Sequence, residues 1–160
     1  MILDSKLLFG KNIAVTGSAA AVKSFTNTLQ MDNVLNYLKA AALNDIGKAG
    51  DLMLNIRVTS TQIAATSTAT TLAFKLHKKA SASSIKSGSV VYTVTVPVLK
   101  AASISNVQKL GAYIVRAKLP KNTIGDTTKT FIGLTGVVGA QAITTGKVTA
   151  WLGLADDTAI

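Results

Sequence analysis

Side chains alternate between apolar and polar through several stretches of this chain, and nothing constrains its fold more. In GDLMLNIRVT, residues 50–59, Leu52, Leu54, Ile56 and Val58 fall on one face, and Met53, Asn55, Arg57 and Thr59 on the other. Successive residues of a strand point to opposite sides of a sheet, so a period of two predicts a half-buried β-strand. TTLAFKLHK repeats it, with Leu72, Phe74 and Leu76 inside and Thr71, Ala73, Lys75 and His77 outside. SVVYTVTVP sets Val90, Tyr92, Val94 and Val96 against Val91, Thr93 and Thr95. Pro97 has no N–H to donate and therefore closes that strand or lies at a sheet edge. GAYIVRAKLP opposes Tyr113, Val115 and Ala117 to Ile114, Arg116 and Lys118.

Two more strands are predicted at 130–134 and 147–153, and KNIAVTGSAAAVKSF supplies one or two at the N-terminal end. Ser/Thr/Gly/Asn clusters such as TSTQIAATSTAT, KKASASSIKSGS and PKNTIGDTTK separate them and have turn and loop composition. One segment breaks the pattern. Residues 31–46 space Val34, Leu35, Leu38 and Leu43 at helical intervals behind Asp32, a candidate N-cap, which predicts one short helix. Several short strands with turn signals between them predict an all-β fold, an antiparallel sandwich or barrel. No linker or internal repeat divides the 160 residues, so one domain spanning 1–160 is expected.

The same residues leave little for catalysis. The chain has no cysteine and no glutamate, so thiol chemistry and disulfides are excluded. Its seven acids are all aspartates, and only Asp156 and Asp157 are adjacent. Paired-carboxylate hydrolysis needs two acids on one reacting bond, one of them with a raised pKa. GLTGVVG, residues 133–139, has the wrong glycine spacing for a dinucleotide fingerprint, and reads instead as tight strand bends. His77 is the sole histidine, and alternation places it on the polar face beside Lys75, Lys78 and Lys79, where a surface role is expected. The reading is of a protein that is not an enzyme and takes no cofactor or metal.

Charge points to a partner. Seventeen Lys+Arg against seven Asp give a formal net charge of +10. Such a balance favours an acidic surface, either protein or nucleic acid. A nucleic-acid or polyanion-binding module is the alternative, with lysines on phosphates and Tyr92, Tyr113 or Trp151 stacking on bases. Nucleic acid is the weaker reading, because the cations are mostly lysine (15 against 2 arginines) and dispersed over every segment. No run approaches the ~20 apolar residues of a membrane helix. The start, MILDSKLLFGKN, lacks the cationic lead and apolar core of a signal peptide.

Taken in order, MILDSKLLFG, GDLMLNIRV, TTLAFKLHK, GAYIVRAKLP and FIGLTGVVGAQAITTGKVTAWLG resemble the capsid cement (decoration) proteins of tailed phages, of the Bordetella-phage type. The recurring pieces of that family are an MIxD…LxFS opening, a GxPLxLxVxV strand, a YLRVxL strand and a closing AxLxxD. The resemblance runs over nearly the whole chain. It departs at residues 31–46, helical here where a short loop is expected, and at Asp51, where a small residue or proline is commoner.

What the resemblance implies is a jelly-roll β-sandwich on the outer capsid surface of a virion. It would bridge neighbouring HK97-type major capsid proteins as a homo-oligomer, a dimer or trimer, and would be made in the host cytoplasm. Two groups are candidates for partner binding. The apolar N-terminal residues Ile2, Leu3, Leu7, Leu8 and Phe9 either form the first strand of the sandwich or reach across to a neighbouring subunit. Arg57 and Arg116 either face an acidic capsid exterior or pair within the sheet, with Asp51 or Asp126 as partners.

Overall fold

The computed structural model describes residues 7–30, 52–66, 68–120 and 131–154. Nine strands make up its frame: β1 (Leu8–Ala14), β2 (Val22–Ser24), β3 (Leu29–Gln30), β4 (Leu52–Ala65), β5 (Thr70–Lys79), β6 (Ser89–Val98), β7 (Tyr113–Lys118), β8 (Phe131–Val138) and β9 (Ile143–Leu154). They form two antiparallel sheets, β1-β9-β4-β7 and β2-β8-β5-β6, with the short β3 also paired to β8. The fold is an all-β sandwich. The predicted helix at 31–46 lies outside the described residues, as do Ile2 and Leu3.

The pairing is nested. β1 pairs with β9, β2 with β8, β4 with β7 and β5 with β6, so the first and last strands run together and those between them fold back on one another. Alternation decides which side chains meet between the sheets. Leu54, Ile56 and Val58 of β4 and Val148, Ala150 and Leu152 of β9 point inward from one sheet. Leu72, Phe74 and Leu76 of β5, with Ile132 and Leu134 of β8, answer from the other. Each fully buried Leu, Ile or Phe side chain contributes roughly 1.5–3 kcal/mol, so this interface supplies most of the stability.

Pro97 sits one residue before the end of β6, an edge strand, as its missing donor requires. Register shifts interrupt the β1–β9, β4–β9 and β5–β6 pairings, and two further local features shape the outer faces of the sheets. Ile56 pairs with Val115, but the next residue, Arg57, pairs with Tyr113, so Ile114 is an extra residue in β7. Such a β-bulge shifts the facing of everything beyond it. Secondly, the segment after β5 folds back over the outer face of its own sheet. Ile85, in a 3-10 turn at Ile85–Ser87, seats directly on Gly133 of β8. A Cβ at Gly133 would stand 2.5 Å from the Ile85 side chain, which no real pair of carbons tolerates. Gly133 and Gly136 therefore lie inside a strand rather than at bends.

Candidate functional site

The bulge in β7 builds the site. Alternation grouped Tyr113 with Val115 and Ala117, opposite Arg116. In the folded chain Tyr113 lies instead on the outer face of its sheet, across from Arg57. Arg116 shares that face, because it pairs with Asn55 two residues before Arg57. The guanidinium carbons of Arg57 and Arg116 each stand 5.9 Å from the centre of the Tyr113 ring. Trp151, paired with Asn55 from β9, tilts against the same ring with centroids 5.9 Å apart. Three strands thus bring two arginines and two aromatics into one cluster.

Its geometry is fixed from below and from the side. Arg57 Nε donates to the Gly111 carbonyl at 2.7 Å. Gly111 holds φ at +85°, a left-handed conformation that only glycine adopts without strain. That turn aims its carbonyl at the arginine. Asn55 and Trp151 are buried beneath the cluster, and Trp151 is only 5% exposed. Tyr113 and Arg57 are half-buried, and Arg116 is exposed. A guanidinium held over a ring loses fewer rotamers when it binds, and its fork still presents N–H groups to a planar acceptor. The arrangement suits a carboxylate or phosphate oxygen pair.

The expected in-sheet partners Asp51 and Asp126 lie outside the described residues, as do the chain's other five aspartates. What the described structure offers Arg57 is a backbone carbonyl and a ring. The gathering of Arg57, Arg116, Tyr113 and Trp151 was not legible as a cluster, because a one-residue bulge reverses the facing of Tyr113. The sole available signal was Gly111, two residues before the strand.

The apolar N-terminal residues divide. Leu7 is buried and Phe9 fully so, both within the core between the sheets. Leu8 is half-buried and pairs with Trp151 in β1. Phe9 and Leu7 therefore pack into this chain's own interior.

His77 is the second correction. It faces outward as alternation required, yet it is 5% exposed, because the turn at Ile85–Ser87 and Gly88 cover it. Its Nδ1 lies 3.2 Å from the Gly88 carbonyl and its Nε2 2.8 Å from the Thr135 hydroxyl. A carbonyl only accepts, so Nδ1 carries the proton, and in the neutral ring Nε2 accepts from Thr135. Lys79 reinforces the same loop through Ser83, Ser84 and Ser87. The sole histidine is thus a fastening between a loop and a sheet.

Among the described residues, no buried side-chain nitrogen or oxygen lacks a hydrogen-bond partner. No described helix is long and apolar enough to cross a membrane. Among the described residues, the outer face of the β1-β9-β4-β7 sheet, with Arg57, Arg116 and Tyr113 gathered on it, is the strongest candidate. Compared with known proteins, the chain matches no family model, and no curated protein matches it.

Proposed function

We propose that this chain is a virion structural protein of the capsid cement type. It binds the outside of an HK97-type major capsid shell, bridges neighbouring capsomers and stabilises the head, without catalysis and without a cofactor. The observation that carries the reading is the Arg57–Tyr113–Arg116 array. Two guanidinium forks, held on one ring at the surface of a rigid sheet, form a receptor for carboxylates of an acidic protein exterior.

Two further features support it. The nested pairing of β1 with β9, β2 with β8, β4 with β7 and β5 with β6 is the connectivity of a chain folded as one long hairpin and then rolled. That favours a jelly roll, an architecture common in capsid proteins. The sole histidine is occupied by internal hydrogen bonds, and the sequence holds no cysteine or glutamate to take over chemistry.

The cluster also lends something to the polyanion reading, since both arginines and two aromatics share one face. Base stacking needs a free ring, however. Trp151 is buried, and Tyr113 is flanked by Trp151 and both guanidiniums. The proposal is tested by expressing the chain beside the major capsid protein of its own genome and sedimenting the assembled shells. Stoichiometric co-sedimentation is expected. A chain that stays in the supernatant, yet binds duplex DNA with a steep log–log salt slope, overturns it in favour of the polyanion reading.

A further inference from the structure

The edges of the two sheets are not treated alike. β1 carries Lys11, β2 carries Lys23, and β7 carries Arg116 and Lys118. Cations on an edge strand discourage another chain from adding to it. β6, the ten-residue SVVYTVTVPV, is also an edge strand and bears no charge. Val90 is 48% exposed, and no strand among the described residues pairs with its outer side.

The ladder on β5 tells which backbone groups of β6 face outward. Thr71 pairs with Pro97, and the Thr71 carbonyl accepts from Gly139 N on the opposite side, toward β8. Thr71 and Pro97 therefore exchange no hydrogen bond, and the groups of Pro97 point away from β5. N–H and C=O of one residue share a side in an antiparallel ladder. Counting back in twos, Thr95 and Thr93 also present theirs outward. Beyond them Val91 is an extra residue, because Leu76 pairs with Tyr92 and His77 with Val90. The usable outer edge is bounded by a bulge at one end and a proline at the other.

Those two interruptions lie equally far from Val94. We infer that β6 is a self-pairing edge, and that two copies of this chain join antiparallel about a two-fold axis at Val94. In that register Thr93 of each copy exchanges two hydrogen bonds with Thr95 of the other, four in all. Pro97, which has no N–H to give, falls opposite the bulged Val91, where the ladder has already ended. Val94 meets its own copy on the core side, and Tyr92 meets Val96, so the half-exposed inner edge of the sandwich becomes continuous across the dimer. The threonines face each other on the outer side, a favourable cross-strand pair.

Charge singles out this occupant. The three lysine-bearing edges add a local repulsion against a copy of this +10 chain, and β6 adds none. The cation next to the interface, Lys75, sits one strand in, opposite Thr93. With three strand spacings between them, Lys75 and its copy stand about 14 Å apart, beyond the ~8 Å screening length. A two-fold contact of this kind closes on itself and gives a dimer. The inference does not rest on the capsid reading, because dimerisation is measured on the isolated chain.

The test uses the full-length protein in sedimentation equilibrium and mild oxidation. Wild type should show a reversible monomer–dimer equilibrium. Val94→Cys, in a chain with no other cysteine, should form a covalent dimer, because facing residues of an antiparallel pair lie within disulfide reach. Val90→Cys should not, since eight residues of strand, about 26 Å, separate it from its copy. Thr93→Pro removes an outward donor without touching the β5 ladder, and should weaken dimerisation about tenfold with an unchanged circular dichroism spectrum. A wild type monomeric at every concentration, a trimer, or equal cross-linking of Val94→Cys and Val90→Cys overturns the inference.

Discussion

Arg57 and Tyr113 face each other across β4 and β7, with the guanidinium carbon 5.9 Å from the ring centre, only because Ile114 is an extra residue in the ladder. Removing that residue would turn Tyr113 inward and leave both arginines without a platform. The pairing has a measurable energy. In a double-mutant cycle of Arg57→Ala and Tyr113→Ala, followed by urea unfolding, the coupling should be about 0.5–1 kcal/mol. Tyr113→Phe keeps the ring and should retain most of it. Strictly additive effects would mean that the proximity carries no energy.

Gln108 is expected to be the most sensitive polar position in the described structure. It is fully buried, and its Oε1 accepts from Leu99 N, Ser105 N and Ser105 Oγ. Its Nε2 donates to the carbonyls of Ile63 and Leu99. This one amide ties the 99–108 connection to β4. Gln108→Ala strands several buried backbone groups at ~1–3 kcal/mol each, so a loss of roughly 3 kcal/mol or more is expected in chemical denaturation. Gln108→Glu replaces the donor with a second acceptor facing two carbonyls and should be no better.

How much of this was legible beforehand depends on the range of the interactions involved. Leu72, Phe74 and Leu76 were assignable to the core because a period of two is local and needs no partner to be read. The same rule put His77 on the right face but could not see that Ile85 and Gly88 return to cover it. That contact is set by Gly133, which lies far along the chain from both Ile85 and His77. Tyr113 was misassigned because a bulge inserts one residue into a period-two count, and every residue before it then changes face. The Arg57–Arg116 association also depends on β4 and β7 pairing, which alternation within either strand does not encode. Pro97 was different. Its missing N–H is a property of the residue itself, and it limited β6 to ending there or lying at an edge without any knowledge of β5.

Phe9 separates the two readings of the N-terminal segment. Its side chain is fully enclosed between the sheets, so Phe9→Ala should destabilise the fold by about 3–5 kcal/mol. Partner binding by the fraction that remains folded should be unchanged. A variant of normal stability that has lost its partner would instead assign Phe9 to an intermolecular contact.

His77→Ala should loosen one loop and leave the sandwich intact. The variant removes hydrogen bonds to Gly88 and Thr135 that hold the 80–88 segment on the outer face of β5 and β8. Faster amide hydrogen exchange confined to that loop and the adjoining residues of β6 is the expected signature. Uniformly faster exchange across β4 and β9, on the other sheet, would show that the histidine supports the whole fold.

The charge of the sheet face sets the last prediction. Complementary potentials raise association rates steeply at low salt, while desolvated apolar contacts govern residence time. On the proposal that this chain is a capsid cement protein, stripped shells rebound with it should show an on-rate that falls as salt rises, and an off-rate that changes little. Arg57 and Arg116 add a second effect, because a fork fixed on Tyr113 can hold a carboxylate bidentately where a lysine cannot. Arg57→Ala or Arg116→Ala should each dissociate roughly 10-fold faster or more, corresponding to one charge-assisted hydrogen-bonded contact. The corresponding lysine variants should recover the on-rate but not the residence time. An on-rate indifferent to salt, with neither alanine variant leaving faster, would reduce the excess charge to a solubility device and remove the Arg57–Tyr113–Arg116 array from the interface.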